Sequence, residues 1–306
     1  MTPEPETKPK ILVIGSKSMV GSRFCELVGE RADLIQADFG GEIPIDITNP
    51  SRVETLIKEH PSDWVILFSA FTNVDGAEEQ RGDRSGSCWK INVEGTINVV
   101  KACQKEATGV IYISTEFVFD GQNGPYPEDA QKGPDLEKIS WYGITKLEGE
   151  KVVETLAKHL IVRITYPYRS SFPEKKDFAR GILENYKKGT LPPMFSDQIL
   201  TPTFIDDLAP AILLLITKGQ IGSFHIASPD PVSPFEFAKN LIETFGMDPS
   251  KIKEGSLIDF LKVNKTPRPV KGGLISDKIS TLGFTPTPWE SGINILYKQQ
   301  KTAKLI

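Results

Sequence analysis

Five short apolar runs, each ending at or just before a small or polar residue and each separated from the next by a helical stretch, leave this chain few folds to choose from. The runs are Ile11-Leu-Val-Ile14, Leu34-Ile-Gln-Ala37, Trp64-Val-Ile-Leu-Phe68, Gly109-Val-Ile-Tyr-Ile-Ser114 and Leu160-Ile-Val-Arg163. Their length and β-branching predict strands buried on both faces. Helices are predicted between them: Met19 to Gly29, one opened by Asn49 as N-cap with Pro50 at its first position, Arg84 to Glu106, and Tyr142 to about Lys158. Strands alternating with helices imply an α/β fold, a doubly wound parallel sheet of the Rossmann type with right-handed crossovers.

The second half is less regular. Helices are predicted over Phe178 to Lys188, Leu208 to Lys218, Ser233 to about Phe245 and Ser276 to Leu282, with a strand at Ser223 to Ala227. Residues 10–163 and about 197–228 are expected to form the dinucleotide-binding domain. A smaller α+β substrate domain is expected from about 164–196 and 229–306, packed tightly on the first because no flexible linker intervenes. Residues 1–9, polar and Pro-rich, are expected to form a loose tail.

The 306 residues carry a net charge of −4, which gives no basic footprint for nucleic acid. The longest apolar run, Ala209 to Ile216, is too short to cross a bilayer, so no membrane partner is expected. Cys25, Cys88 and Cys103 show no metal-binding spacing, and the three histidines are scattered, so no metal site is expected. On one continuous helix Cys88 and Cys103 would stand about 22 Å apart, beyond reach of a disulfide. A reducing cytoplasm is the expected compartment.

Three places carry chemistry. Gly15-Ser-Lys-Ser18-Met19-Val20-Gly21 turns from the first strand into the first helix, where free backbone N–H groups and the positive helix end suit a pyrophosphate. Ser18 takes the place of the usual middle glycine. Asp38, 17 residues beyond Gly21, ends the second strand, where a carboxylate accepts bonds from an adenosine ribose and repels a 2′-phosphate. That favours NAD over NADP, and an ordinary solvated aspartate stays open as the other reading; Asp46 is a further candidate, beside the adenine. The third place is Tyr142 and Lys146, four residues apart and therefore on one helical face. A phenol ordinarily titrates near 10, and an adjacent cation lowers that value, so the pair can serve as a proton-transfer device, with a chance Tyr/Lys pairing on a helix staying open as the other reading. Ser114-Thr115, at the end of the fourth strand, can orient a substrate carbonyl toward Tyr142.

Together these features resemble the extended short-chain dehydrogenase/reductases. Within that group Asp46-Ile-Thr-Asn-Pro50, Ala70-Phe-Thr-Asn-Val-Asp75, Asn92-Val-Glu-Gly95, Ile113-Ser-Thr-Glu-Phe-Val-Phe-Asp-Gly121, Gly124-Pro-Tyr126, Tyr142-Gly-Ile-Thr-Lys-Leu-Glu-Gly-Glu150, Pro202-Thr-Phe-Ile-Asp-Asp-Leu-Ala209 and Arg268-Pro269 follow in order the signatures of dTDP-4-dehydrorhamnose reductases, over about residues 10–290. The resemblance implies an NAD(P)H-dependent reductase of a nucleotide-linked 4-keto-6-deoxy sugar, with NAD(H) or NADP(H) as cofactor, a nucleotide sugar as substrate and a homodimer as assembly. It implies Thr115, Tyr142 and Lys146 as catalytic residues. Cofactor contacts are then expected from Gly15, Ser18, Met19, Val20, Gly21, Asp38, Asp46, Ile47, Ser69, Ala70, Phe71, Asn92, Tyr142 and Lys146. Substrate contacts are expected from Ser114, Thr115, Glu116, Tyr166 and Arg268, with Phe178 and Arg180 as further candidates. Three departures stand out: Ser18 for a glycine, Glu116 for the family's aspartate, and Tyr166-Pro-Tyr168-Arg169 for an aromatic Trp-Val-Tyr-Gly stretch. Two alternatives share the fold: a nucleotide-sugar epimerase or dehydratase, and a non-catalytic subunit like the regulatory subunit of methionine adenosyltransferase.

Overall fold

The computed structural model describes residues 8–305. In chain order its elements are β1 (Lys10–Ile14), α1 (Met19–Val28), β2 (Asp33–Asp38), β3 (Ile43–Pro44), α2 (Pro50–Glu59), β4 (Trp64–Leu67), α3 (Val74–Glu78), α4 (Ser87–Trp89), α5 (Thr96–Lys105), β5 (Gly109–Thr115), α6 (Trp141–Val153) and β6 (His159–Ile164). There follow α7 (Phe178–Lys187), β7 (Met194–Phe195), α8 (Leu208–Thr217), β8 (Gly222–His225), α9 (Pro234–Thr244), β9 (Glu254–Gly255), α10 (Leu257–Val263), α11 (Asp277–Thr281) and α12 (Trp289–Thr302).

Seven strands form one parallel sheet in the order β3-β2-β1-β4-β5-β6-β8. The apolar runs are continuous because both faces are covered. Ile11 and Val13 of β1 face α1 and α8, against Phe24, Leu208 and Ile212. Leu12 and Ile14 point the other way, against Val53 and Ile57 of α2 and Val99 of α5. The order reverses between β1 and β4, so their C-terminal ends diverge and open a crevice. A third core, from Tyr168, Ile182, Phe237, Leu241, Ile293 and Leu296, holds α7, α9 and α12 together. A two-stranded sheet, β7-β9, lies in the same part of the chain.

Several boundaries differ from the sequence reading. The helix expected from Arg84 begins at Ser87 and passes through a π-helical turn, Lys90–Gly95, before continuing as α5. The Tyr142 helix stops at Val153, since the next residues turn the chain back into β6. The strand expected through Ala227 ends at His225. Unanticipated were the edge strand β3, α3, α10, the small sheet and α12. That last helix buries Gly292, Ile293, Leu296 and Gln300 within an otherwise polar segment, which hides its periodicity. The expected tail falls mostly outside the described residues, and Pro9 is already held by a bond from the Asp33 amide to its carbonyl. Among the described residues no helix is long and apolar enough to cross a membrane, and no cluster could hold a metal ion.

Candidate functional site

A cleft of about 750 Å³ runs over the C-terminal ends of the strands, from the turn after β1 to the segment that follows β6. Gly15 adopts a φ of 89° there, and a Cβ on it would lie 2.5 Å from the Ser69 amide. Only glycine fits that conformation and that approach. Ser18 has an ordinary extended backbone, so its departure from glycine carries no strain, and its hydroxyl caps α1 by accepting from the Gly21 amide at 3.0 Å. Gly15, Ser18, Met19 and Val20 line the cleft, while Gly21 stands behind, close against the Gly15 carbonyl.

Asp38 and Asp46 also reach the cleft. The Asp38 carboxylate accepts from the Lys17 amide at 2.9 Å, and the Lys17 ammonium reaches the Gly40 carbonyl at 2.7 Å. Asp46 is turned onto Thr48, accepting from its amide and hydroxyl at 2.9 and 2.7 Å. Ile47, Ser69 and Ala70 form wall. Phe71 and Asn92 do not line the cleft. Instead Asn92, buried in the π-helical turn, accepts from the Phe71 amide at 2.8 Å and donates to its carbonyl at 3.0 Å. It fixes the backbone that forms the wall, a role in keeping with π-turns at functional sites.

Thr115, Tyr142 and Lys146 all line the cleft. Ser140 caps α6 through the Gly143 amide at 3.2 Å, which places Tyr142 in the first turn of the helix. Burial pushes the Tyr142 phenol above its ordinary value, with the Thr115 hydroxyl pulling the other way. The expected lowering by Lys146 is therefore not what this structure contains. The Lys146 ammonium donates to the Ile113 carbonyl at 2.8 Å and sits 3.8 Å above the Tyr112 ring. Burial lowers its own pKa to about 7, against an opposing pull from Glu150. A phenol held above its usual range stays protonated at neutral pH, the state a proton donor needs.

Other expected substrate contacts sort differently. The Ser114 hydroxyl donates to Glu150 at 2.6 Å and is thereby tied into a buried ion pair in which Arg163 grips both Glu150 oxygens at 2.8 Å. Glu116 does not reach the cleft. Its carboxylate is buried, takes the Thr165 hydroxyl and the Gly273 amide, and is pushed up to about 7 by burial. The extra methylene carries the carboxylate into this strut between β5, β6 and the late chain. Arg180 is likewise spent on Asp177 and on the Phe172 and Lys175 carbonyls. Tyr166, Phe178 and Arg268 do line the cleft. Tyr166 has a positive φ of 40°, uncommon for a residue with a side chain, and its hydroxyl accepts from Gln198 at 2.9 Å. Sequence reasoning missed Lys17, Phe117, Lys175 and Lys176 as cleft residues. The charged run Glu174-Lys-Lys-Asp177 resembles any solvated loop, and only its position after β6 hints at more.

A glycine turn between β1 and α1 and a Tyr/Lys helix, α6, packed beside β5 place the chain among the extended short-chain dehydrogenase/reductases. More narrowly, a family model described as the RmlD substrate binding domain matches residues 9–302, and the chain belongs to that family. It is 30% identical to the dTDP-4-dehydrorhamnose reductase of Mycobacterium tuberculosis over 81% of this chain and 80% of that one. It is 28% identical to the "Probable low-salt glycan biosynthesis reductase Agl14" of Haloferax volcanii, over 84% of this chain and 87% of that one. The crystal structure of dTDP-4-dehydrorhamnose reductase from Bacillus anthracis in complex with NADP superposes with a TM-score of 0.84 at 28% identity, covering 95% of this chain and 99% of that one.

Proposed function

We propose that this protein reduces the C4 carbonyl of a nucleotide-linked 4-keto-6-deoxy sugar with NADH or NADPH, as its dTDP-4-dehydrorhamnose reductase relatives are named for doing. The observation that carries the reading is the convergence of Thr115, Tyr142 and Lys146 on one cleft that begins at the Gly15 turn. The cleft suits a dinucleotide: Gly15 makes a tight turn that a Cβ would break against the Ser69 amide, and backbone amides at the start of α1 suit an incoming phosphate. Gly15, Ser18, Met19 and Val20 would hold the pyrophosphate, Asp38 the adenosine ribose, and Lys146 the nicotinamide ribose. The nicotinamide supplies the hydride when bound.

The chain's own residues do the rest. Thr115 donates to the carbonyl oxygen and orients it. Tyr142 delivers its proton to that oxygen as negative charge develops there. Lys146, when protonated, stabilises the phenolate left behind. Phe117, edge-on to Tyr142 with ring centroids 5.8 Å apart, keeps water from the phenol. Arg268 and Lys175 supply positive charge for the substrate diphosphate, while the Lys176 ammonium is paired with Glu184.

The dehydratase alternative requires acidic residues beside the Ser/Thr pair. The one acid there, Glu116, is engaged by Thr165 and Gly273 away from the cleft. In this reading residues 10–163 and about 197–228 bind the cofactor, and about 164–196 and 229–306 bind the sugar nucleotide. Homodimeric assembly is part of the proposal on the family resemblance alone, and light scattering decides it. A cytoplasmic location is part of it on the three free thiols.

The test is to follow NADH or NADPH absorbance with dTDP-4-keto-6-deoxy sugars. Tyr142→Phe should lower turnover about 10²–10⁴-fold while cofactor binding persists. Undiminished turnover in that variant would remove Tyr142 as the acid and the reading with it.

A further inference from the structure

At the mouth of the cleft two cations on the late chain hold the same short stretch of the early chain. Arg268 reaches Asp75, the second residue of α3, and its Nη2 lies 2.7 and 2.8 Å from the two carboxylate oxygens. Lys175 donates to the Thr72 hydroxyl at 3.0 Å. All but Asp75 line the cleft.

The choice of nitrogen matters. A guanidinium offers two forks for an oxyanion, Nε with Nη2 and Nη1 with Nη2, so Nη2 belongs to both. Asp75 takes that shared nitrogen. Among the described residues Nε and Nη1 have no acceptor, yet neither has a free neighbour with which to grip a phosphate in two-point fashion. The carboxylate thus occupies the position a phosphate needs. Asp75 is also largely exposed, with its side chain at 64%, so the pair is screened by water and costs little to open.

We propose that Asp75 is an internal competitor for the diphosphate of the sugar nucleotide: it closes Arg268 over the cleft mouth and gives it up only to a ligand carrying stronger negative charge. The inference rests on the sugar-nucleotide reading above and adds the residue that gates its anion subsite. A neutral sugar cannot release the gate, and a diphosphate can, with Lys175 leaving Thr72 to join the same charge. The gate therefore selects for nucleotide-linked sugars over free ones.

The experiment measures dTDP binding by calorimetry, with NADPH present, for the wild type, Asp75→Asn, Arg268→Ala and the double variant. Asp75→Asn should tighten dTDP by up to about fivefold, the weight of an exposed ion pair. Arg268→Ala should weaken it by at least about tenfold. Because removing any nearby negative charge favours an anion somewhat, the decisive result is the double variant: the tightening by Asp75→Asn should vanish in the Arg268→Ala background. Unchanged or weaker binding by Asp75→Asn, or a tightening that persists without Arg268, would overturn the gate and leave the sugar-nucleotide reading intact. Full-strength dTDP binding by Arg268→Ala would remove the anion subsite from Arg268 and the gate with it. A wild-type protein that binds no dTDP would overturn both readings together.

Discussion

The Ser114 hydroxyl donates to the Glu150 carboxylate across 2.6 Å, so of two adjacent residues that both line the cleft at the end of β5, Ser114 has its hydroxyl committed to a buried carboxylate and Thr115 does not. Successive side chains of a strand alternate between its faces, which divides a pair that reads as interchangeable in the sequence. Thr115→Val should therefore lower kcat about a hundredfold, the usual cost of losing one donor to a developing oxyanion. Ser114→Ala should leave kcat within a few-fold and lower unfolding stability by about 1.5–3 kcal/mol, through the lost bond to a charged group. Steady-state kinetics and denaturant unfolding on both variants check the division. The reverse pattern would return the carbonyl to Ser114.

Gly143 lets α6 press against the turn that follows β5. A Cβ there would sit 2.1 Å from the Phe117 carbonyl oxygen, backbone against backbone, with no flexible side chain to yield. Gly143→Ala should push the start of α6, and Tyr142 with it, away from Thr115. The expected outcome is a loss of about 1–3 kcal/mol of stability from overpacking and a fall in kcat far larger than the change in cofactor affinity. A variant with normal kcat would mean that the Tyr142 position does not depend on this contact.

The parallel sheet was legible because burial on both faces turns each strand into an unbroken apolar run, and Ile11–Ile14 is apolar for that reason alone. Tyr142, Lys146 and Gly15 were legible because their spacing is fixed by one helix or one turn. What the sequence could not reveal depends on side chains from distant elements meeting. Glu116 reads as a cleft acid until Gly273 and Thr165 are seen to take its carboxylate. Asn92 reads as a cofactor contact until it is seen holding Phe71. Asp75 and Arg268, 193 residues apart, carry no local sign of each other. The acidity of Tyr142 follows the same rule: spacing predicts a lowering by Lys146, and burial, a property of the whole packed site, decides the direction.

On the proposed cofactor reading Asp38, which lines the cleft, meets a ribose hydroxyl or a 2′-phosphate, with the Lys17 ammonium nearby on Gly40. The carboxylate opposes a phosphate and the ammonium attracts one, so the two residues pull cofactor choice in opposite directions. Asp38→Asn should shift the ratio of KM values toward NADPH on the order of tenfold, the scale of one charge-assisted bond, and Lys17→Ala should shift it toward NADH. Parallel titrations with both cofactors decide it. Ratios that stay fixed in both variants would place cofactor discrimination elsewhere in the cleft.

Lys146 connects the site to pH. Burial brings its pKa down to about 7, and the groups bearing on it are Glu150, one turn further along α6, Cys88 of α4 and the Tyr112 ring of β5. Glu150 remains charged because Arg163 leads Lys132 and Ser114 in outweighing the burial that would otherwise raise it. That negative charge favours the ammonium, the form that can pair with ribose hydroxyls and steady a phenolate. Below about 7 Lys146 is charged and above it the charge is lost, so kcat/KM of the free enzyme should fall as pH rises through that region. Glu150→Gln keeps the shape, removes the charge and exchanges one accepting oxygen for an NH2 donor, so the falling limb should move to lower pH. The same variant leaves Arg163 buried without its counter-charge, which should lower stability by about 3–5 kcal/mol, and the pH profile is therefore measured at a temperature where the variant remains folded. Ser114→Ala perturbs the same network without changing its charge and should leave the limb in place. A limb that stays put in Glu150→Gln, or moves equally in Ser114→Ala, would separate Lys146 from the observed ionisation.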